Sequence, residues 1–250
     1  MYLKKIFIIV LLFLVAKLNG QCFISSYGSL GPLSKTTGNY MIDSKFNSSQ
    51  VDLQDLFDIS VDLYVYNDGQ SPNAYAMKSN SYPYDGVVAF GVQMLQSRLW
   101  RMEKGEYAVA GVLAHEFAHV LQLKNDCSLS SKLRELHADY LAGYYFGCRD
   151  YMSGGLRNFA TDLFELGDYN FWDPGHHGTP KERVNAMMAG FDNSFREIDN
   201  AYEDGIAYVT GRSKRGNKKS TYSIKECGKC YGSGEIEVVR PCSYCSGTGA

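Results

Sequence analysis

The spacing of apolar residues changes along the chain, and each change marks an element. Ile6 to Ala16 is an unbroken apolar run of eleven, preceded by Lys4 and Lys5 and followed by Leu18, Asn19 and Gly20. Residues 21–50 are rich in Ser, Gly and Asn and read as irregular. Residues 56–67 (LFDISVDLYVYN) have strand character in their second half, and Asp68-Gly69 starts a turn. Two short extended segments follow, Asn73 to Met77 and the apolar, β-rich Gly86 to Gln93, with a polar, proline-containing loop between them. From about Gly105 the period becomes helical: Ala108, Val112, Leu113, Phe117, Val120 and Leu121 recur at helix spacing as far as about Lys124. Asn125 to Ser128 is a polar break. Ser130 can cap a second helix that runs to about Phe146 and stops at Gly147. A third helix is expected over 154–166. A fourth starts near Thr179-Pro180 and runs to Ala189, before Gly190.

The chain has 250 residues, 45% hydrophobic and 21% charged, enough for one sizeable core and a small appendage. A net charge of −2 gives no pull towards nucleic acid or anionic membrane, so neither is an expected partner. An aromatic content of 14%, with 19 Tyr, argues against disorder over most of the length. The basic start and short apolar run read as a cleavable signal peptide over 1–20, because eleven residues span a bilayer poorly. The expected location is extracytoplasmic, periplasmic or secreted. Cys22 offers a lipoprotein alternative, although Gln21 precedes it where that processing favours a small residue. No other stretch suits a membrane span. The remaining organisation reads as a main domain over 21–205, a basic linker over 206–226 and a Cys-rich module over 227–250.

Export permits disulfides. Of seven cysteines, Cys127 and Cys148 flank the second long helix, and either a bridge or two separate thiols fits that placement.

His115-Glu116-Phe117-Ala118-His119 is an H-E-x-x-H sequence within the first long helix. Residues four apart share a helix face, so both imidazoles can reach one ion. Glu116, one residue on, can touch a water held by that ion without ligating the ion, which is where a general base belongs. A catalytic zinc site takes three protein ligands and an open position. Glu135 is the expected third ligand. The first helix runs about five residues past His119, and Glu135 lies five residues into the returning helix, so an antiparallel hairpin brings the two level. Asp139, one turn on, comes level with His115 and can accept that ring's other N–H. Ala138 and Ala142, opposite Ala114 and Ala118, allow close approach of the helices. His137 competes as a ligand but lies about 200° around the helix from Glu135, so both cannot face the metal.

HEFAH followed by ELHADYLAG resembles the gluzincin metallopeptidases, whose third ligand is the Glu of an E-x-x-A-D segment. Asn73-Ala74-Tyr75-Ala76, Asp85-Gly86-Val87-Val88 and His177-Gly178-Thr179-Pro180-Lys181-Glu182-Arg183 resemble the CAAX-protease/HtpX-like family more narrowly, and the YpfJ-type neutral zinc metallopeptidases share similar pieces. The resemblance covers about residues 55–191. It implies an α+β, zincin-like fold with a small edge sheet and the HExxH helix antiparallel to a Glu-bearing helix. It also implies that His177 is an electrophile facing the tetrahedral intermediate, that Arg183 orients that group or holds substrate, and that Asn73, Ala74, Tyr75 and Ala76 line the cleft for strand addition by peptide. Read from the residues alone, His177 is a loop histidine beside His176, and Tyr75 equally suits the sheet core.

Cys227-Gly-Lys-Cys230-Tyr-Gly-Ser-Gly and Cys242-Ser-Tyr-Cys245-Ser-Gly-Thr-Gly repeat one C-x-x-C-x-G-x-G pattern. Four thiolates on tight turns suit a structural zinc, and so short a unit would be folded largely by metal. A pair of disulfides is the alternative. The repeat resembles the zinc modules of DnaJ-type co-chaperones and is a candidate surface for a protein partner. The expected function is hydrolysis of peptide or protein substrates with one catalytic and one structural zinc. A catalytically silent, metal-stabilised binding or chaperone-like protein is the alternative.

Overall fold

A computed structural model describes residues 30–69, 73–101, 105–149, 177–212, 223–225 and 237–239. The expected signal segment 1–20, Cys22, the helix expected over 154–166, His176 and the four tail cysteines lie outside the described residues.

A four-stranded mixed sheet is built from β1 (Leu33–Ser34), β2 (Val61–Tyr66), β3 (Ala74–Lys78) and β4 (Gly86–Gly91) in the order β1-β2-β4-β3. β2 and β4 run parallel, and β1 and β3 flank them antiparallel. Strand alternation sends Val61, Leu63, Val65, Ala74, Ala76, Val88 and Phe90 into the main core. The opposite face carries a smaller cluster of Leu30, Tyr66, Met77, Val87 and Ala89.

Six helices are described: α1 (Tyr40–Phe57), α2 (Val92–Arg101), α3 (Gly105–Lys124), α4 (Ser131–Cys148), α5 (Pro180–Asp192) and α6 (Ile198–Val209). The sequence reading treats most of α1 as irregular, and that expectation is overturned. Only Phe46, Leu53 and Phe57 of α1 are fully buried, so its apolar stripe is narrow and the other faces carry the Ser and Asn that suggested a loop. The side chain of Asn39 starts the helix by accepting from the amides of Met41 and Ile42. The extended reading of Val92 and Gln93 is also overturned, because α2 begins there. Its first amides are capped from a distance: Asp68 accepts from the amides of Gln93 at 2.7 Å and Met94 at 3.0 Å. α6 has no counterpart in the sequence reading, and it runs to Val209, into the linker expected from residue 206.

α3 and α4 form an antiparallel hairpin in which Ala114, Ala118, Ala138 and Ala142 are all fully buried. Ser130 holds the cap position of α4 but makes no side-chain capping bond. α5 begins with a capping box between Thr179 and Glu182, with Pro180 at its first turn. Gly190 does not end this helix. A Cβ there would lie 1.7 Å from the Tyr140 carbonyl oxygen, and one at Gly143 would lie 1.8 Å from the Met187 carbonyl oxygen. Both glycines serve close backbone contact between α4 and α5, so α5 continues to Asp192. Cys127 and Cys148 are free thiols at opposite ends of α4. Eighteen helical residues separate the two ends by about 27 Å, far beyond the reach of a disulfide.

In the tail, β5 (Ser223–Lys225) and β6 (Glu237–Val239) pair antiparallel on either side of the segment that contains Cys227 and Cys230. No helix among the described residues is long and apolar enough to cross a membrane.

Candidate metal centre

α3 sends different rows of side chains in different directions, because successive residues step about 100° around the axis. Leu113, Phe117 and Val120 enter the core, and Val120 lies against Gly86 of β4. His115 and His119 take the other side, towards α4. Glu116 falls between these rows and is 1% exposed.

The two imidazoles meet Nε2 to Nε2 at 3.1 Å. Glu135 of α4 closes the triangle, with Oε2 at 3.3 Å from His115 Nε2 and Oε1 at 3.5 Å from His119 Nε2. The three residues are buried and form a group that can hold a metal ion, their donor atoms lying within 4.8 Å of one another.

The far side of each ring is also fixed. His115 Nδ1 donates to Asp139 Oδ1 at 2.9 Å. Asp139 is fully buried and accepts twice from Arg183 of α5, Nε to Oδ2 at 2.7 Å and Nη2 to Oδ1 at 2.8 Å. Burial pushes the Asp139 carboxyl up, but the Arg183 charge and the bonds from His115 and Arg183 outweigh it and hold the group below its usual range. His119 Nδ1 donates to Gln122 Oε1 at 2.8 Å. With both Nδ1 atoms donating, both neutral rings point an Nε2 lone pair into the same small space beside a carboxylate. Lone pairs 3.1 Å apart repel unless a positive charge lies between them, and two His nitrogens with one carboxylate are a donor set that suits a zinc-like cation. The residues therefore fit a metal ion.

No family model, curated protein or solved structure matches this chain. Function is therefore read from the site itself.

Glu135 carries the site's charge. Burial pushes its carboxyl up, yet the imidazoles of His119, His115 and His177 gathered around it hold it well below the usual carboxylate range. His177 Nδ1 lies 3.2 Å from Glu135 Oε2 and its side chain is 15% exposed, against 6% or less for the three donor residues. It stands at the margin of the group. Gly178, at φ +98°, makes the turn that presents it, and a Cβ there would lie 2.9 Å from Leu136.

Arg183 comes to this site as a buried partner of Asp139, 3% exposed, with its guanidinium turned to that carboxylate. It lies behind His115, on the far side of Asp139. Asn73 to Ala76 divide between the two faces of the sheet. Ala74 and Ala76 are buried on the α3 side of the sheet, whereas Tyr75 packs against Tyr66 on the other face and accepts from Asn73 Nδ2 at 3.0 Å. Tyr75 thus lies on the sheet face opposite α3, with the smaller cluster. The outer backbone of β3 remains an edge among the described residues. His137 is fully buried and directed away from the donor triangle, with Nε2 3.0 Å from the Tyr202 carbonyl. The sequence reading missed Gln122 altogether, although its position three residues after His119 put it on the ligand face.

Proposed function

We propose that this protein is a zinc-dependent metalloendopeptidase of zincin-like architecture, related in kind to the gluzincins that its motifs resemble. One observation carries the reading: two imidazole Nε2 atoms and one buried carboxylate converge, with both rings held from behind. His115, His119 and Glu135 are the ligands. Zinc held by them would supply Lewis acidity, lowering the pKa of water and polarising a carbonyl.

The protein's own groups do the rest. Glu116, adjacent to His115 on the helix, takes a proton from the attacking water and delivers it to the leaving amine. Its burial keeps that exchange out of bulk solvent. His177, at the margin, donates to the oxyanion that forms as the carbonyl is attacked. An extended peptide pairs with the open edge of β3 through backbone hydrogen bonds. Asp139 and Arg183 keep His115 in orientation. The tail cysteines, Cys227, Cys230, Cys242 and Cys245, would hold a second, structural zinc, their paired C-x-x-C spacing being the support for it.

Zinc content and turnover of a mixed peptide library, measured for the wild type and for Glu116→Gln, test the reading. The expected result is zinc retained in both and turnover lost in the variant. Equal turnover removes Glu116 from the chemistry, and zinc retained without turnover in the wild type favours a binding protein.

A further inference from the structure

The hydrogen bonds behind His119 continue well past Gln122. The Gln122 side-chain amide uses its oxygen for His119 Nδ1–H and its NH2 for two acceptors, the Arg134 carbonyl at 2.9 Å and His137 Nδ1 at 3.0 Å. His137 Nε2 then donates to the Tyr202 carbonyl of α6 at 3.0 Å. Each assignment forces the next. A backbone carbonyl only accepts, so His137 is protonated on Nε2. Its Nδ1 then only accepts, so Gln122 must present NH2 there. The Gln122 oxygen is left facing His119, whose Nδ1 must donate, and the His119 Nε2 lone pair is thereby aimed at the metal site.

We propose that Gln122 and His137 are positioning residues of the metal centre, forming a relay by which the α6 backbone fixes the tautomer and orientation of the ligand His119. The inference rests on the metal-centre reading above and extends it to residues outside the ligand set. α6 can reach His137 because position 205 is glycine: a Cβ there would lie 2.7 Å from His137 Cδ2 and 2.9 Å from Nε2. The edge-on packing of the Tyr202 ring against His137, with centroids 4.8 Å apart, holds the imidazole in the plane that this bond needs. Of all the carbonyls near α4, the relay ends on one supplied by a helix whose own buried face is only Ala201, Tyr202 and Gly205.

The test measures zinc affinity by chelator competition in the full chain carrying Cys227→Ser, Cys230→Ser, Cys242→Ser and Cys245→Ser, so that only the His–Glu site binds. Gln122→Leu is expected to weaken zinc binding about 10- to 100-fold, and His137→Leu about 10-fold. His137→Gln, which restores an acceptor and a donor, returns the affinity to within about threefold of wild type, a rescue that simple packing would not produce. Gly205→Ala, which removes no ligand and no relay side chain, weakens binding several-fold and serves if the Leu variants do not fold. Folding is checked by circular dichroism. Folded Leu variants with wild-type affinity overturn the relay, as does a Gln variant no tighter than Leu, or an unmoved Gly205→Ala. A parent protein that binds no zinc overturns the metal centre itself, and that failure is distinct from the others.

Discussion

His115 and His119 sit one turn apart on the same helix face, and their far nitrogens are held by opposite means. Behind His115 stands a charged pair, Asp139 and Arg183, fully buried and joined by two short bonds. Behind His119 stands a chain without formal charge, Gln122, His137 and a backbone carbonyl. Both supports are close to neutral overall, the first by compensation and the second by composition. The charge facing a cation is therefore set by Glu135, with Glu116 nearby. The difference lies in how each support fails. Removing one member of a buried ion pair strands the other, whereas a neutral chain fails when a proton is added or the helix supplying its last acceptor moves.

The largest effect follows from stranding a charge. Arg183→Leu leaves Asp139 buried without its counter-ion and is expected to cost about 3–5 kcal/mol, read from the midpoint of urea unfolding. A cost near that of an ordinary surface substitution would show that the charged support is not the stiff one.

Acid separates the two supports next. Burial pulls the His137 pKa from its ordinary 6.5 down to about 4, outweighing the bond to the Tyr202 carbonyl. The unfolded chain then takes up this proton before the folded one does. Stability is full above about pH 6.5 and falls as pH drops towards 4, by about 2 kcal/mol at pH 5. Asp139 is held below its usual range, so its contribution, present at higher pH, is lost only under more acidic conditions. The neutral support therefore fails first. Urea unfolding of the metal-free protein at pH 7 and pH 5 should show this loss in the wild type and much less of it in His137→Gln. Parallel losses in both proteins would move the acid sensitivity elsewhere.

Helix approach supplies the most local contrast. Gly190→Ala drives a methyl into the Tyr140 backbone and displaces the helix bearing Arg183, at a cost of about 2–3 kcal/mol. Gly205→Ala meets a side-chain ring 2.7 Å away, which can shift, and costs about 1 kcal/mol. Thermal unfolding ranks the two, and the reverse order would mean that α4 and α5 are the more loosely joined pair.

The sequence made the α3–α4 hairpin legible because two signals agreed there. The apolar period was helical, and the polar exceptions to it, His115, Glu116, His119, Glu135 and Asp139, fell at spacings that share faces. α1 and α2 were illegible for physical reasons: one buries a narrow stripe, and the other is capped by Asp68, 25 residues upstream of Gln93. Gly190 misled because a glycine at a helix end and a glycine at a helix crossing look alike until the crossing partner is known. Gln122 was readable in principle from its spacing to His119. The Tyr202 carbonyl was not, because every residue carries a carbonyl and only tertiary structure selects one.

Zinc-edge X-ray absorption asks whether His115, His119 and Glu135 hold one cation. The sample is the full chain with Cys227→Ser, Cys230→Ser, Cys242→Ser and Cys245→Ser, which leaves only nitrogen and oxygen donors at the candidate centre. One zinc per chain is expected, bound by nitrogen and oxygen at about 2.0–2.2 Å, two of the donors being imidazole, with the signal lost in His119→Ala. A protein that takes up no zinc, or takes it up equally with His119→Ala, rules out this metal centre.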